Sequence, residues 1–252
     1  MTSLLLQTSL PAETVAVRQA EGVVHGFLLL RGLDGTTVAS GDLSQSIRSG
    51  AITSRLIYRF KDGSLHDETA VYSQNRTFRL LTYRLIQKGP AFKRSMEVSL
   101  NASKGEVNVR STDDDGKVKV INERMKLPAD LANGFVPTLL KNVPPGSSTK
   151  LSMVVCTPKP RVVKLDISPN GEESFSAGGF SHKAVRYLVK IEIGGVTGVI
   201  APLVGKQPPD SHVWILGGTA PSFVKAEGPL ADGTPIWRIE LTSPVWPKNA
   251  RP

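Results

Sequence analysis

The sequence predicts a mainly β protein: a large antiparallel meander curled into an open or half-closed barrel, with a short mid-chain helix as lid or plug. Three observations carry this expectation. Apolar and polar residues alternate through most of the chain. Aspartate–glycine pairs stand between the alternating runs. One segment, residues 128–142, changes to helical spacing.

The alternation is regular. Met96, Val98 and Leu100 alternate with Ser95, Glu97 and Ser99, and Val107 and Val109 with Glu106, Asn108 and Arg110. Val118 and Val120 alternate with Lys117 and Lys119, and Val163, Leu165 and Ile167 with Lys164 and Asp166. Val185, Tyr187, Val189 and Ile191 face away from Arg186 and Lys190, as Trp237, Ile239 and Leu241 do from Arg238 and Glu240. Period two puts each set on its own face of a strand. One buried and one wetted face is the antiparallel habit. Asp34-Gly35, Asp62-Gly63, Asp115-Gly116 and Asp232-Gly233 supply the positive φ that tight hairpins need. Lys104-Gly105 and Asn170-Gly171 read the same way. Strand–turn–strand units therefore run from about residue 15 to 125 and again from about 150 to 241, roughly ten strands or more.

A sheet of that size curls or splits, and a curled sheet leaves a hollow that side chains, a helix or a ligand must fill. The filler is residues 128–142. Leu131, Phe135 and Leu139 recur every fourth position, with Ala132, Val136 and Leu140 beside them. Pro128 suits a first helical turn and Asp130 the positive end of the helix dipole. Gly134 and Pro137 argue for two short turns instead of one rod.

The 252 residues read as one β-rich domain, with a candidate lobe boundary near 142–149 and loose ends at 1–12 and 243–252. An apolar fraction of 40% against 21% charged excludes a disordered chain. A lone cysteine, Cys156, excludes an internal disulfide. The longest uncharged runs, residues 193–205 and 211–224, fall short of the roughly 20 apolar residues that a membrane span requires. Residues 1–11 lack a charged n-region, so no signal peptide is visible in the chain.

The net charge is +9, and the excess is uneven. Residues 47–110 hold 12 basic and 5 acidic side chains, and Arg76, Arg79, Arg84, Lys88, Lys93 and Arg94 follow one another with no acid between. Such a field bears on anionic partners and not on fold. Aromatics interleave with the arginines, but Phe78 and Arg79 point to opposite sides of a strand, which disfavours nucleic acid. An anionic membrane surface uses the same charges less specifically.

Most motif readings fail on spacing. Gly205-Lys206 lacks the earlier glycine and following hydroxyl of a phosphate loop. Asp113, Asp114 and Asp115 begin like a calcium loop whose later oxygen ligands are absent. His25, His66, His182 and His212 show no metal spacing, and there is no serine-nucleophile elbow, so neither a metal nor a cofactor is expected. Two titratable groupings remain. His66 and Glu68 share one strand face, and Lys206, Asp210 and His212 flank a proline-rich loop.

Four strings, FKDGSLHDETAVYSQ (60–74), LPADLANG (127–134), TPKPRVVKL (157–165) and APLVGKQPPDSHVW (201–214), resemble a group of uncharacterised bacterial β-rich proteins over about residues 15–246. The architecture also resembles the LolA/LolB-like lipoprotein carriers, incomplete barrels with a helical lid that bind acyl chains. That second resemblance implies an exported, periplasmic carrier; cytoplasmic residence stays open. The expectation is a non-enzymatic binding or carrier protein for a lipid-like, apolar anionic ligand on the concave sheet face. Its contacts are Leu131, Phe135 and Leu139 for the tail and Arg76, Arg79, Arg84, Lys206 and Asp210 for the polar end. One alternative is a hydrolase or lyase using His66, Glu68 and His212; another is a structural module that works through an exposed sheet edge.

Overall fold

A computed structural model describes residues 14–113, 115–157, 159–177, 180–192 and 208–242. The ends 1–12 and 243–252, and Lys206 with most of its loop, lie outside the described residues. The N-terminal strands are β1 (Val24–Gly32), β2 (Thr37–Arg48), β3 (Ala51–Phe60), β4 (Leu65–Asn75), β5 (Thr77–Lys88), β6 (Ser95–Asn101), β7 (Glu106–Thr112) and β8 (Val118–Arg124). Helix α1 (Val136–Asn142) follows. Then come β9 (Thr149–Val155), β10 (Arg161–Ala177), β11 (Phe180–Glu192), β12 (Ser211–Leu216), β13 (Ser222–Gly228) and β14 (Trp237–Thr242).

All 14 strands join one antiparallel sheet in the order β8 to β1, then β14 to β9. Every neighbour is a sequential hairpin partner except at the centre, where β1 pairs with β14 and Leu30 lies opposite Ile239. The sheet is not closed: β8 and β9 are its two edges. The tip glycines behave as expected, with φ of 85° at Gly35, 85° at Gly63, 68° at Gly105, 74° at Gly116 and 74° at Gly233. Asn170-Gly171 is different. It lies inside β10, where the pairing with β11 shifts register between Pro169 and Glu172. The strand survives as a bulge because Gly171 takes φ of 93° and Arg186 donates to both the carbonyl and the side-chain oxygen of Asn170.

The sheet folds over on itself. Tyr72, Leu85, Val98 and Val109 from one half share a single apolar cluster with Leu151, Leu165, Tyr187 and Ile215 from the other. Strands from opposite wings of one sheet meet this way only if the wings curl together. Between them sits the mid-chain plug: Leu131, Phe135, Leu139 and Leu140 are all buried in this cluster. Each such side chain contributes about 2 kcal/mol on burial. Phe135 stacks flat on Tyr72 at 4.6 Å between ring centroids. A smaller cluster of Leu28, Leu30, Tyr58, Phe60, Phe92 and Trp237 fills the bend at the β1–β14 junction.

The helix is shorter than its apolar stripe. Phe135 is the N-cap and Pro137 sits in the first turn, while Leu131 and Ala132 are not helical. Gly134 ends the preceding turn at φ of 77°, tight against Ala70 and the Tyr83 ring. The residues before it serve the free edge of β9. Ala132 donates to the Ser152 carbonyl and Ser152 donates to Asp130. The Asn133 carboxamide then imitates a strand: its Nδ2 donates to the Val154 carbonyl and its Oδ1 accepts from the Val154 amide, both at 2.9 Å. The other end of the plug is tied by Asn142, whose Oδ1 accepts from the amides of Arg18 and Gln19, and by an ion pair between Lys141 and the buried Glu21. Residues 15–17 reach this point after pairing with the start of β5 at Arg76 and Phe78.

Replacing Asn133 by alanine leaves a buried donor and a buried acceptor of Val154 without partners, at about 1–3 kcal/mol for each group. The expected result is a loss of roughly 2–4 kcal/mol in chemical denaturation, with an unchanged β-sheet circular dichroism spectrum before the transition.

Candidate functional site

Curling leaves a cavity of about 640 Å³ at one end of the hollow. One wall is the inner face of β5 and β6, with Tyr83, Leu85, Gln87, Met96 and Val98. The facing wall comes from β9, β10 and β11, with Met153, Val154, Val163 and Ile191. Residues 229–234 between β13 and β14, Pro208 and Pro209 ahead of β12, Arg94 and Arg161 complete the rim. Asn133 lines the cavity too, so the group that seals the β9 edge is also part of its wall.

The rim is cationic. The Arg94 guanidinium is exposed and has no ion-pair or hydrogen-bond partner among the described residues. Arg161 donates to the Thr157 carbonyl at 2.7 Å and has no acidic partner among the described residues. Lys93 lies across Gly233, where an added Cβ would meet its Nζ at 2.5 Å. Asp232 is the acid of the rim. At the other end of the hollow a smaller cavity of about 260 Å³ lies beside Leu140, Lys141 and Tyr187.

Two floor residues, Gln87 and Tyr83, each bond a polar side chain of β4. Gln87 donates its amide both to His66 Nδ1 at 3.0 Å and to the Leu230 carbonyl at 2.9 Å, which pins the rim loop to the sheet. The imidazole is thereby set as the Nε2–H tautomer, and Nε2 itself, buried near the Tyr58 and Phe92 rings, meets no partner among the described residues. Burial pushes the His66 pKa below its ordinary 6.5, against the opposing pull of Glu68 and Asp67. Glu68 accepts from the Tyr83 hydroxyl at 2.8 Å. Burial first, then the Glu68 charge, drives the Tyr83 pKa well up. Burial also raises the Cys156 thiol to about 11, so this cavity-lining group is a protonated thiol at neutral pH and no nucleophile.

The residues singled out in the sequence separate. His66 and Glu68 share the inner face, as their spacing implies. His212 does not join them: it stands beside Trp214, 5.8 Å between centroids, while Val213 and Ile215 carry the inner face of β12. No His66–Glu68–His212 constellation forms. Leu131, Phe135 and Leu139 are plug, packed in the core and not on the cavity wall. Arg79 and Arg84 alternate with the buried Phe78, Leu80, Tyr83 and Leu85, so they lie on the convex face. Arg76 takes φ of 61° at the β4–β5 turn. Asp210 is exposed just before β12, next to the rim prolines. Arg94 and Arg161, which do line the cavity, escape strand-alternation reasoning because each sits where a strand begins. Among the described residues no group of three or more histidine, cysteine, aspartate or glutamate side chains could hold a metal, and no helix is long and apolar enough to cross a membrane.

No family model matches the chain, and no curated protein sequence matches it. Among solved structures the chain is similar to the crystal structure of a β-barrel-like protein of domain of unknown function DUF1849 from Brucella abortus. The two are 9% identical, the match covers 87% of this chain and 94% of that one, and the TM-score is 0.45.

The lowered pKa of His66 has a stability consequence. Below about 6.5 the unfolded chain takes up a proton that folded His66 resists, so stability held above that pH is lost as the pH falls. Denaturation between pH 8 and 5 should show His66→Gln losing part of the wild-type slope, up to about 1.4 kcal/mol per pH unit. Identical slopes for the two proteins contradict the buried neutral imidazole.

Proposed function

We propose that the protein is a non-enzymatic binding or carrier protein for a lipid-like, apolar anionic ligand, held in the cavity between β5–β6 and β9–β11. The observation that carries this reading is the pairing of an apolar chamber of about 640 Å³ with Arg94 and Arg161 at its rim, neither of which meets an acid among the described residues. The volume falls in the range of about 300–1,000 Å³ occupied by small-molecule sites. Energetics say why the rim matters. A lipid leaving a bilayer is already in hydrocarbon, so an apolar chamber alone gains almost nothing from the roughly 0.8 kcal/mol per methylene that transfer from water supplies. Discrimination then rests on the head group, and guanidinium groups suit carboxylate or phosphate.

The proposal extends to a carrier of the LolA/LolB-like kind, for which a half-barrel with a central plug is the expected architecture. The convex-face arginines, Arg79 and Arg84, suit a separate role in transient contact with an anionic bilayer, at about 1 kcal/mol per basic group near the surface.

Two variants test the cavity. Met153→Trp fills it and should abolish uptake of a fluorescent fatty acid and of its uncharged alcohol analogue alike. Arg94→Glu with Arg161→Glu should weaken the fatty acid by about tenfold or more and leave the alcohol nearly unchanged. Native mass spectrometry of gently purified protein should show a co-purifying anionic amphiphile. Absence of any such mass, together with no uptake by the wild type, overturns the reading.

A further inference from the structure

The two edges of the sheet are treated unequally. The β9 edge is covered by the chain itself, through Asp130, Ala132 and Asn133. Among the described residues the β8 edge has no such cover. Its strand pairs with β7 without a register shift, and among the described residues no other segment bonds to it. Val118 and Val120 are 47% and 59% exposed there. A regular, uncovered edge is a template for another strand.

The hydrogen-bond phase of β8 is fixed at both of its ends. Asp113 donates to Lys117, and Met125 donates to Gly105. Bonded pairs in an antiparallel ladder recur at every second residue. Lys119, Ile121 and Glu123 therefore bond inward to β7, and Val118, Val120, Asn122 and Arg124 turn their amides and carbonyls outward. We propose that the β8 edge is a self-association surface: a second copy of this chain adds its own β8, antiparallel, about a twofold axis at Ile121.

Register and charge select this axis. Centring on Ile121 overlaps the whole of Val118–Arg124 with itself, with Val120 opposite Asn122 and Val118 opposite Arg124 of the second copy. The outward-turned residues become the bonded pairs. Lys119 then falls opposite Glu123 of the second copy, twice by symmetry, in non-bonded pairs where side chains approach most closely. Neither Lys119 nor Glu123 has an ion-pair partner among the described residues. An edge lysine ordinarily discourages pairing; here it has a complementary acid. A twofold axis at Val120 sets Lys119 against Ile121 and leaves Glu123 to Lys117, beyond the end of the strand. An axis at Lys119 opposes two lysines. The contact is isologous, so it closes at two copies. It is independent of the cavity and of what the cavity binds.

Light scattering after size exclusion, on the full chain over a dilution series, should give twice the chain mass at high concentration. Lys119→Glu alone and Glu123→Lys alone should each raise the dimer dissociation constant by about tenfold or more, and the two combined should restore it. Val120→Pro removes an amide that β7 does not use and should give a monomer with unchanged circular dichroism. A wild type that is monomeric throughout, a species larger than a dimer, a dimer that survives Val120→Pro, or a double exchange that fails to restore pairing overturns the proposal.

Discussion

An open, strongly curled antiparallel sheet has two needs that ordinary side-chain packing does not meet together. Its concave face must be covered by something apolar, and the backbone groups along its edges must find partners or water. In this protein one short stretch, from Leu127 to Val143, serves the first need and, along β9, the second. Phe135, Leu139 and Leu140 fill the concave side, while Asp130, Ala132 and Asn133 satisfy the rim of β9. The two jobs are inseparable because the edge-covering residues run directly into the core-filling ones. Gly134 makes this possible: its left-handed backbone turns the chain from the strand-like stretch into the helix while staying tight against Ala70 and Tyr83.

The two ends of the hollow are finished differently. At one end polar groups lock the plug down: Glu21 meets Lys141 and Gln45, Gln45 accepts from the Tyr72 hydroxyl, and Asn142 holds the Arg18 and Gln19 amides. At the other end the walls stay apart and the rim carries uncompensated positive charge. His66 belongs to that end, yet it works as structure. Held neutral by burial and by Gln87, it fixes the rim loop through the same amide that reaches Leu230.

Much of the architecture was legible in the residues, for definite physical reasons. Side-chain alternation reports face, so Val98, Leu100, Val107 and Val109 could be placed inward from spacing alone; Arg79 and Arg84 stand an odd number of residues apart, and both reach the convex face only because the β4–β5 pairing shifts register between Val71 and Tyr72. Glycine at a hairpin tip reports backbone sign, so most turns were readable; Asn170-Gly171 misleads because a bulge asks for the same glycine as a turn. What alternation does not report is which inward face opposes which. The cavity joins β5 and β6 to β9–β11 and to residues 229–234, and its cations come from strand starts where period two has not yet begun. Asn133 carries a signal of another kind: a carboxamide beside two buried apolar residues needs partners for both of its ends.

The central seam has a consequence for how the chain must be assembled. Hairpins on either side of the plug need only neighbours in sequence, but β1 finds its second partner in β14, Phe27 beside Thr242. A nascent chain can zip eight strands as they leave the ribosome and still present the flank of β1 unmated until β14 has been made. The slowest contact to form is thus in the middle of the finished sheet, the reverse of a molecule that grows outward from its centre. Any factor that guards this polypeptide during translation has its longest watch over that one flank.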